Sequence, residues 1–346
     1  MQLHSFTKFR AMAIIFIVAG HSYSTVGIRF DSFLDVFIKN FIAGGTCLFV
    51  FISGFLFHHV FFTRFEYKLF LKNKCKNILF PYLFLGILPI CYYIFLKKDA
   101  FDGAFYFGDG FWNSYVIPIL KYYSTGRFFI AYWYVPFIVL TFLLSPLHIK
   151  FIKITFKYKI SIILSLSLSL SLSLLSIFMH RPIDNVNVFQ SLIYFTPIYL
   201  IGISASIHKD VIYKKLYKME GFLLLSVFTL VLLQSYLGYE GSYHKHAFAF
   251  NGIDIVFIQK IILCFFFMVY FHNKEIEPSR LTSFIADTSF AVYFIHPFII
   301  LFIFKLNLTK FDSWFFLFIF AFSLAVLCAF IAKLIKKVLN KKVEYL

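Results

Sequence analysis

Acidic side chains are scarce in this chain. Asp and Glu number 16 in 346 residues, against 33 Lys and Arg, and charged residues of both signs make only 14%. Soluble domains carry nearer a quarter, so a soluble globular architecture is excluded. Cysteine is scarce as well. The five, Cys47, Cys75, Cys91, Cys264 and Cys328, are scattered, with no C-x-x-C pair and no ligand spacing. That argues against a disulfide framework and against a metal site.

What fills the chain is apolar. Hydrophobic residues make 61% and the mean hydropathy is +0.83. These values predict a polytopic membrane protein of all-α class, one helical-bundle domain over 1–346 with the lipid bilayer as its solvent. A net charge of +17 would point to nucleic acid in a soluble protein. Here the basic residues cluster in short connections between apolar runs. They report topology and an anionic leaflet, and no nucleic-acid partner is expected.

Hydropathy predicts ten transmembrane spans, near 9–27, 40–62, 78–96, 128–147, 160–179, 191–207, 221–238, 254–272, 284–305 and 313–334. With the N-terminus inside, the inner connections hold 22 basic residues and the outer ones 9. That bias places both termini in the cytoplasm. The first segment reads as a retained anchor rather than a cleaved leader. Residues 161–175 alternate Ser and Leu with the period of a strand. A lone lipid-exposed strand cannot satisfy its backbone, so a peripheral helix is expected. The outer connection 97–127 mixes aromatics, glycines and acids, a composition suited to an interfacial belt or to sugar stacking.

Two ionisable residues stand out in the first span. Arg10 and His21 are eleven residues apart in an otherwise apolar run. Eleven helical residues advance about 1,100°, roughly 20° from whole turns, so both share one face about 16 Å apart. Ionisable groups in such a run are expensive and mark a functional site by default. The competing reading is a snorkelling Arg and a His bonded to a backbone carbonyl. Lys260 lies mid-span, where a charge costs at least ~2.5 kcal/mol; it is expected to face the bundle interior, either paired with Asp254 or Asp287 or serving the site. Gly44, Gly45, Ser53 and Gly54 are small residues that let helices approach closely. His58 and His59 are expected at the inner interface. Thr46, Asp31 and Asp35 lie toward the outer side of the first two spans and are candidates to meet an acceptor.

Further motifs follow in order: Phe51-Ile-Ser53-Gly-Phe55, the basic cluster Lys72, Lys74 and Lys76 before Pro81-Tyr82, the Tyr132-Trp133-Tyr134 segment, and Ser289-x3-Tyr293-x2-His296-Pro297. With Arg10-x10-His21 they resemble the integral membrane acyltransferase-3 family over nearly the whole chain. The resemblance implies an O-acyltransferase. It would move an acyl group, acetyl in first expectation, from cytoplasmic acyl-CoA to a hydroxyl of a surface polysaccharide or glycolipid. It implies a multi-pass protein of the bacterial cytoplasmic membrane and no permanently bound cofactor. His21 and Arg10 become the catalytic candidates, Lys72, Lys74 and Lys76 the donor-binding candidates, and Ser53, Trp133, Tyr293 and His296 the substrate-site candidates. The family's Arg-x-x-Arg before the third span is Lys74-Cys-Lys76-Asn77 here, which keeps charge without the bidentate fork of Arg. His296-Pro297 could alternatively shape a helix break.

Imidazole ordinarily titrates near pH 6.5, close to working pH, so His21 suits a general base on an acceptor hydroxyl. It equally suits a nucleophile that carries the acyl group. Arg10 suits the donor's phosphates. The other class with ten spans and buried charge is an exporter or flippase of a polysaccharide intermediate. Transporters often repeat broken helices in matching halves, and the chain lacks that symmetry. No soluble domain follows the tenth expected span, so any second transfer step is expected to need a separate partner.

Overall fold

The structure is a computed structural model. It describes residues 3–29, 31–96, 105, 108–157, 169, 173–175, 177–178, 180–242, 244–246, 249, 252–274, 276–306 and 313–343. The all-α expectation holds. Among the described residues the only strands are β1, Arg181–Pro182, and β2, His244–Lys245, which pair in parallel. Five helices are long and apolar enough to cross a membrane, or eight if each of three bent pairs is one span. The first expected span falls on a 23-residue helix, α1, His4–Val26, which is not one of these. The fifth, 160–179, falls largely outside the described residues.

The chain forms two compact units. One comprises Met1–Leu56, Ile201–Tyr243 and Ile253–Leu346, the other Phe57–Leu200 and His244–Gly252. In the first unit α1 is surrounded by α2 (Phe33–Ile42), α3 (Thr46–Leu56), α12 (Ile255–Asn273), α13 (Arg280–Asp287), α14 (Ser289–Lys305) and α15 (Trp314–Val343). A helix that is apolar on most sides belongs in such a position. Ala11, Ala13, Ile14, Ile17, Val18 and Ala19 are all buried.

The second expected span begins earlier than hydropathy placed it and is broken. Helix α2 ends at Ile42, and Gly44 takes φ +75° before α3 begins. Left-handed backbone of that kind is open to Gly at little cost. Gly44-Gly45 therefore interrupts a helix. It still supports close approach, because a Cβ on Gly45 would come within 3.3 Å of Phe16 on α1. Helix α11, Glu220–Tyr236, packs on α2 and α12. A buried amide network fastens them. Asn40 Nδ2 donates to Ser235 Oγ and to the Tyr239 carbonyl, both at 2.9 Å, while Gln234 Nε2 donates to Asn40 Oδ1 at 3.0 Å.

In the second unit α4 (Tyr67–Lys74) continues through a wide π-type turn into α5 (Phe80–Leu96). Helix α6, Ile117–Thr125, is tied to α5 reciprocally. The Tyr82 hydroxyl donates to the Tyr123 carbonyl at 2.7 Å, and the Tyr123 hydroxyl to the Leu83 carbonyl at 2.8 Å. The fourth expected span, 128–147, starts instead at Tyr134, with α7, Tyr134–Leu143, followed by α8, Ser145–Lys157. Gly126 is the reason. Its φ is +69°, and a Cβ there would meet the Tyr132 carbonyl oxygen, so the chain folds back on itself through turns before α7. Helix α9, Val188–Ile207, divides between the units at Leu200, and α10 is Lys209–Leu216.

Candidate active site

The motif at the start of the chain meets the motif near its end. His21 on α1 places Nδ1 2.9 Å from Nε2 of His296 on α14. The two ring planes lie within 7° of each other. His296 is fully buried, and its Nδ1 lies 2.9 Å from the Val292 carbonyl oxygen one turn back. A carbonyl oxygen only accepts, so His296 Nδ1 carries the proton. In neutral His296 the Nε2 is then the acceptor, which makes His21 Nδ1 the donor. The remaining basic atom of the pair is His21 Nε2. A bond of this kind between His and a backbone carbonyl is present at His296.

Arg10 meets the same region of α13 and α14. Its Nη2 donates to the Ala286 carbonyl at 2.8 Å and to Ser289 Oγ at 3.3 Å. Ala286 lies in the last turn of α13, where carbonyls lack helical partners and a cation is favoured. Helices α13 and α14 bend by 77° across Thr288. The break in this span therefore lies at Thr288, and Pro297 sits inside a continuous α14. Tyr293 is buried, with its ring centroid 6.2 Å from that of His296. Ser289, Tyr293 and His296 thus line α14 beside the two first-span residues. Backbone carbonyls at Ala286 and Val292 complete the arrangement, and no side-chain motif announces them.

The other candidates are placed elsewhere. Ser53 is half-buried on α3 and makes no side-chain hydrogen bond among the described residues. Trp133 is in the second unit, 7% exposed, beneath the guanidinium of Arg181 at 4.7 Å and stacked on Phe195. It supports a cation and offers little open face. The lysine cluster divides. Lys72 and Lys76 are exposed. The Lys74 ammonium sits in a cage of Phe61, Phe70 and Phe142, at 4.8, 5.2 and 4.7 Å from their centroids. Asp35 forms a capping box with Ser32 and accepts from Trp314 Nε1 at 2.6 Å, which fixes it structurally.

Lys260 corrects an expectation. Neither Asp254 nor Asp287 pairs with it. Its ammonium donates to the Phe41 carbonyl and lies between the rings of Phe16 and Phe41. Asp254 caps its own helix, accepting from the Phe257 amide at 3.0 Å. The buried cation thus serves the broken end of α2, where carbonyls lack helical partners. Among the described residues no group of His, Cys, Asp and Glu has the makings of a metal site.

The family known by its acyltransferase domain matches residues 4–334. The chain belongs to the acyltransferase-3 family. That match spans both units and contains every residue placed above. It makes the protein a membrane acyltransferase in general terms. No curated protein and no solved structure matches the chain.

Proposed function

We propose that this acyltransferase-3 protein transfers an acyl group, acetyl in the first instance, from cytoplasmic acyl-CoA to a hydroxyl of a cell-surface or envelope polysaccharide or glycolipid. The observation that supports this most is the His21–His296 pair in the first unit. His21 lies five residues from the end of α1, about 8 Å along the axis. With the N-terminus inside, that is the outer half of the span, toward an acceptor across the membrane.

The chemistry follows from the proton positions. His21 Nε2 takes the proton of the acceptor hydroxyl as the oxygen attacks the thioester carbonyl. The imidazolium that forms is steadied by His296, whose Nε2 accepts from His21 Nδ1 while its own Nδ1 donates to the Val292 carbonyl. The tetrahedral intermediate collapses, the carbon–sulfur bond breaks, and the coenzyme thiolate recovers the proton from His21. Arg10 acts as a positioning residue, holding the end of α13 and Ser289 so that α14 presents His296. Lys72 and Lys76 supply exposed charge for the donor's phosphates, and Lys74 stabilises the fold in its aromatic cage.

The bacterial cytoplasmic membrane is the proposed location, with acyl-CoA on the inner side. The deciding experiment incubates purified protein in lipid nanodiscs with radiolabelled acetyl-CoA and extracted surface glycan. Label in the glycan supports transfer. Label retained on the protein in the absence of glycan would favour an acyl-histidine route over general-base transfer. No label in either would overturn the reading.

A further inference from the structure

The second unit contains a cavity of about 790 Å³ that the chemistry above does not use. Its walls come from the end of α6, the stretch from Pro182 into α9, Phe105, and Lys245 with His246, all assigned to the outside by the charge bias, together with Pro136 and Leu140 of α7. Lys121, Lys245 and His246 line it, and among the described lining residues none is acidic. One more cation flanks it. The Arg127 guanidinium lies 5.7 Å from the centroid of Phe105, a wall residue. Arg181 precedes Pro182 in sequence, but its guanidinium lies over Trp133 and donates to Asn185 Oδ1. Outer connections of a membrane protein are normally poor in Lys and Arg. Six outer cations fall within the described residues: Arg29, Lys39, Lys121, Arg127, Arg181 and Lys245. Two of these line this one cavity and a third, Arg127, stands at its wall.

The cavity is built rather than incidental. Strands β1 and β2 pair beside it, and His244 Nδ1 lies 2.9 Å from the Pro182 carbonyl. Gln190 Nε2 donates to the carbonyls of His180 and Lys245, at 3.2 and 3.1 Å. Asn187 Oδ1 accepts from the Gln190 amide at 3.0 Å and orders the first turn of α9, whose positive end adds to the field. Phe189, also in the wall, is 71% exposed. An aromatic ring kept open beside cations, amides and hydroxyls (Ser124, Thr125) matches a sugar ring that carries an anion.

From this we infer that the cavity binds a negatively charged saccharide, a sugar chain bearing carboxylate or phosphate, and that this is the acceptor class of the transferase. The acceptor assignment rests on the proposed function; the binding itself does not, since it is read without turnover. Full-length protein in phosphatidylcholine nanodiscs is titrated calorimetrically with a hexameric oligogalacturonate and with neutral maltohexaose. The charged oligosaccharide is expected to bind more tightly and to weaken as salt rises. The Lys121→Gln/Lys245→Gln double variant is expected to lose about tenfold in affinity, as two solvent-accessible ionic contacts would give. Lys209→Gln, on the opposite side by the charge bias, is the control that keeps wild-type binding. Lys121 is exposed and Lys245 half-buried, and an unchanged melting temperature confirms the fold. Equal binding of maltohexaose, or an undiminished double variant, would overturn the inference. So would loss of oligogalacturonate binding when phosphatidylglycerol is added to the disc, provided the lipid's own binding depends on Lys121 and Lys245. The cavity would then be a lipid headgroup site. Tight oligogalacturonate binding without any acyl transfer would leave the binding site standing and remove only its acceptor role.

Discussion

His21 and His296 stand 2.9 Å apart, Nδ1 to Nε2, though 275 residues separate them in sequence. The backbone carbonyl behind His296 sets the direction of every proton in the chain Val292–His296–His21. The free choice of tautomer that an isolated imidazole has is thereby removed from His21.

His21→Gln is expected to abolish transfer while the protein still inserts and accumulates. Gln preserves hydrogen bonding to His296 but accepts no proton at neutral pH. Loss of a base or nucleophile costs at least about 10²-fold in rate. The check is initial-rate measurement with labelled donor in nanodiscs. Retention of most activity would reduce His21 to a structural residue.

His296→Gln is expected to be less severe and different in kind. It leaves His21 in place but weakens the acceptor that steadies its imidazolium. The expected outcome is a lowered kcat, a nearly unchanged donor KM and a displaced acid limb of the pH–rate profile. His296→Phe should lower kcat further, because no acceptor remains for His21 Nδ1. A merely structural His296 would instead lower the melting temperature and leave the pH profile of the remaining activity where it was.

The two halves of this site were legible in sequence as two separate motifs. Each stood out because charge or imidazole in an apolar run is costly. What periodicity could not supply was their meeting, because contact between α1 and α14 is a tertiary fact. The fold was legible to the same degree. Hydropathy located the apolar runs and the class, yet it passed over the break at Gly44, the fold-back at Gly126 and the bend at Thr288. A window average is blind to a single left-handed residue. Lys260 departs from expectation for a related reason. Sequence alone points a buried cation to a carboxylate, but a helix end offers a carbonyl that serves as well.

The lysine cluster before α5 should separate by function. Lys72→Gln/Lys76→Gln is expected to raise the apparent donor KM several-fold with the fold intact, since both side chains are exposed. Lys74→Gln removes a cation from three aromatic faces. Each such contact is worth about 0.5–2 kcal/mol, so a lowered melting temperature is expected with the donor KM nearly unchanged. Thermal unfolding and donor titration on the same preparations distinguish the two. If Lys74→Gln alone raised KM and the exposed pair did not, donor binding would have to be moved into the cage.

Arg10 provides the sharpest contrast between two roles. As a phosphate ligand it would act on the donor, and its loss would raise donor KM. As the tie between α1 and the α13–α14 bend it acts through His296, and its loss should lower kcat instead. The geometry favours the second, because one nitrogen, Nη2, reaches both the Ala286 carbonyl and Ser289 Oγ. Lys keeps the charge but has a single compact ammonium on a different stem and cannot reproduce a guanidinium's reach. Arg10→Lys is therefore expected to lower kcat with little change in donor KM, and Arg10→Gln to lower it further. Ser289→Ala removes only the longer of the two contacts, so its own effect should be smaller. The double variant Arg10→Lys/Ser289→Ala should fall short of the sum of the single effects, because both changes act on one contact. Strict additivity, together with a raised donor KM for Arg10→Lys, would return Arg10 to the donor's phosphates.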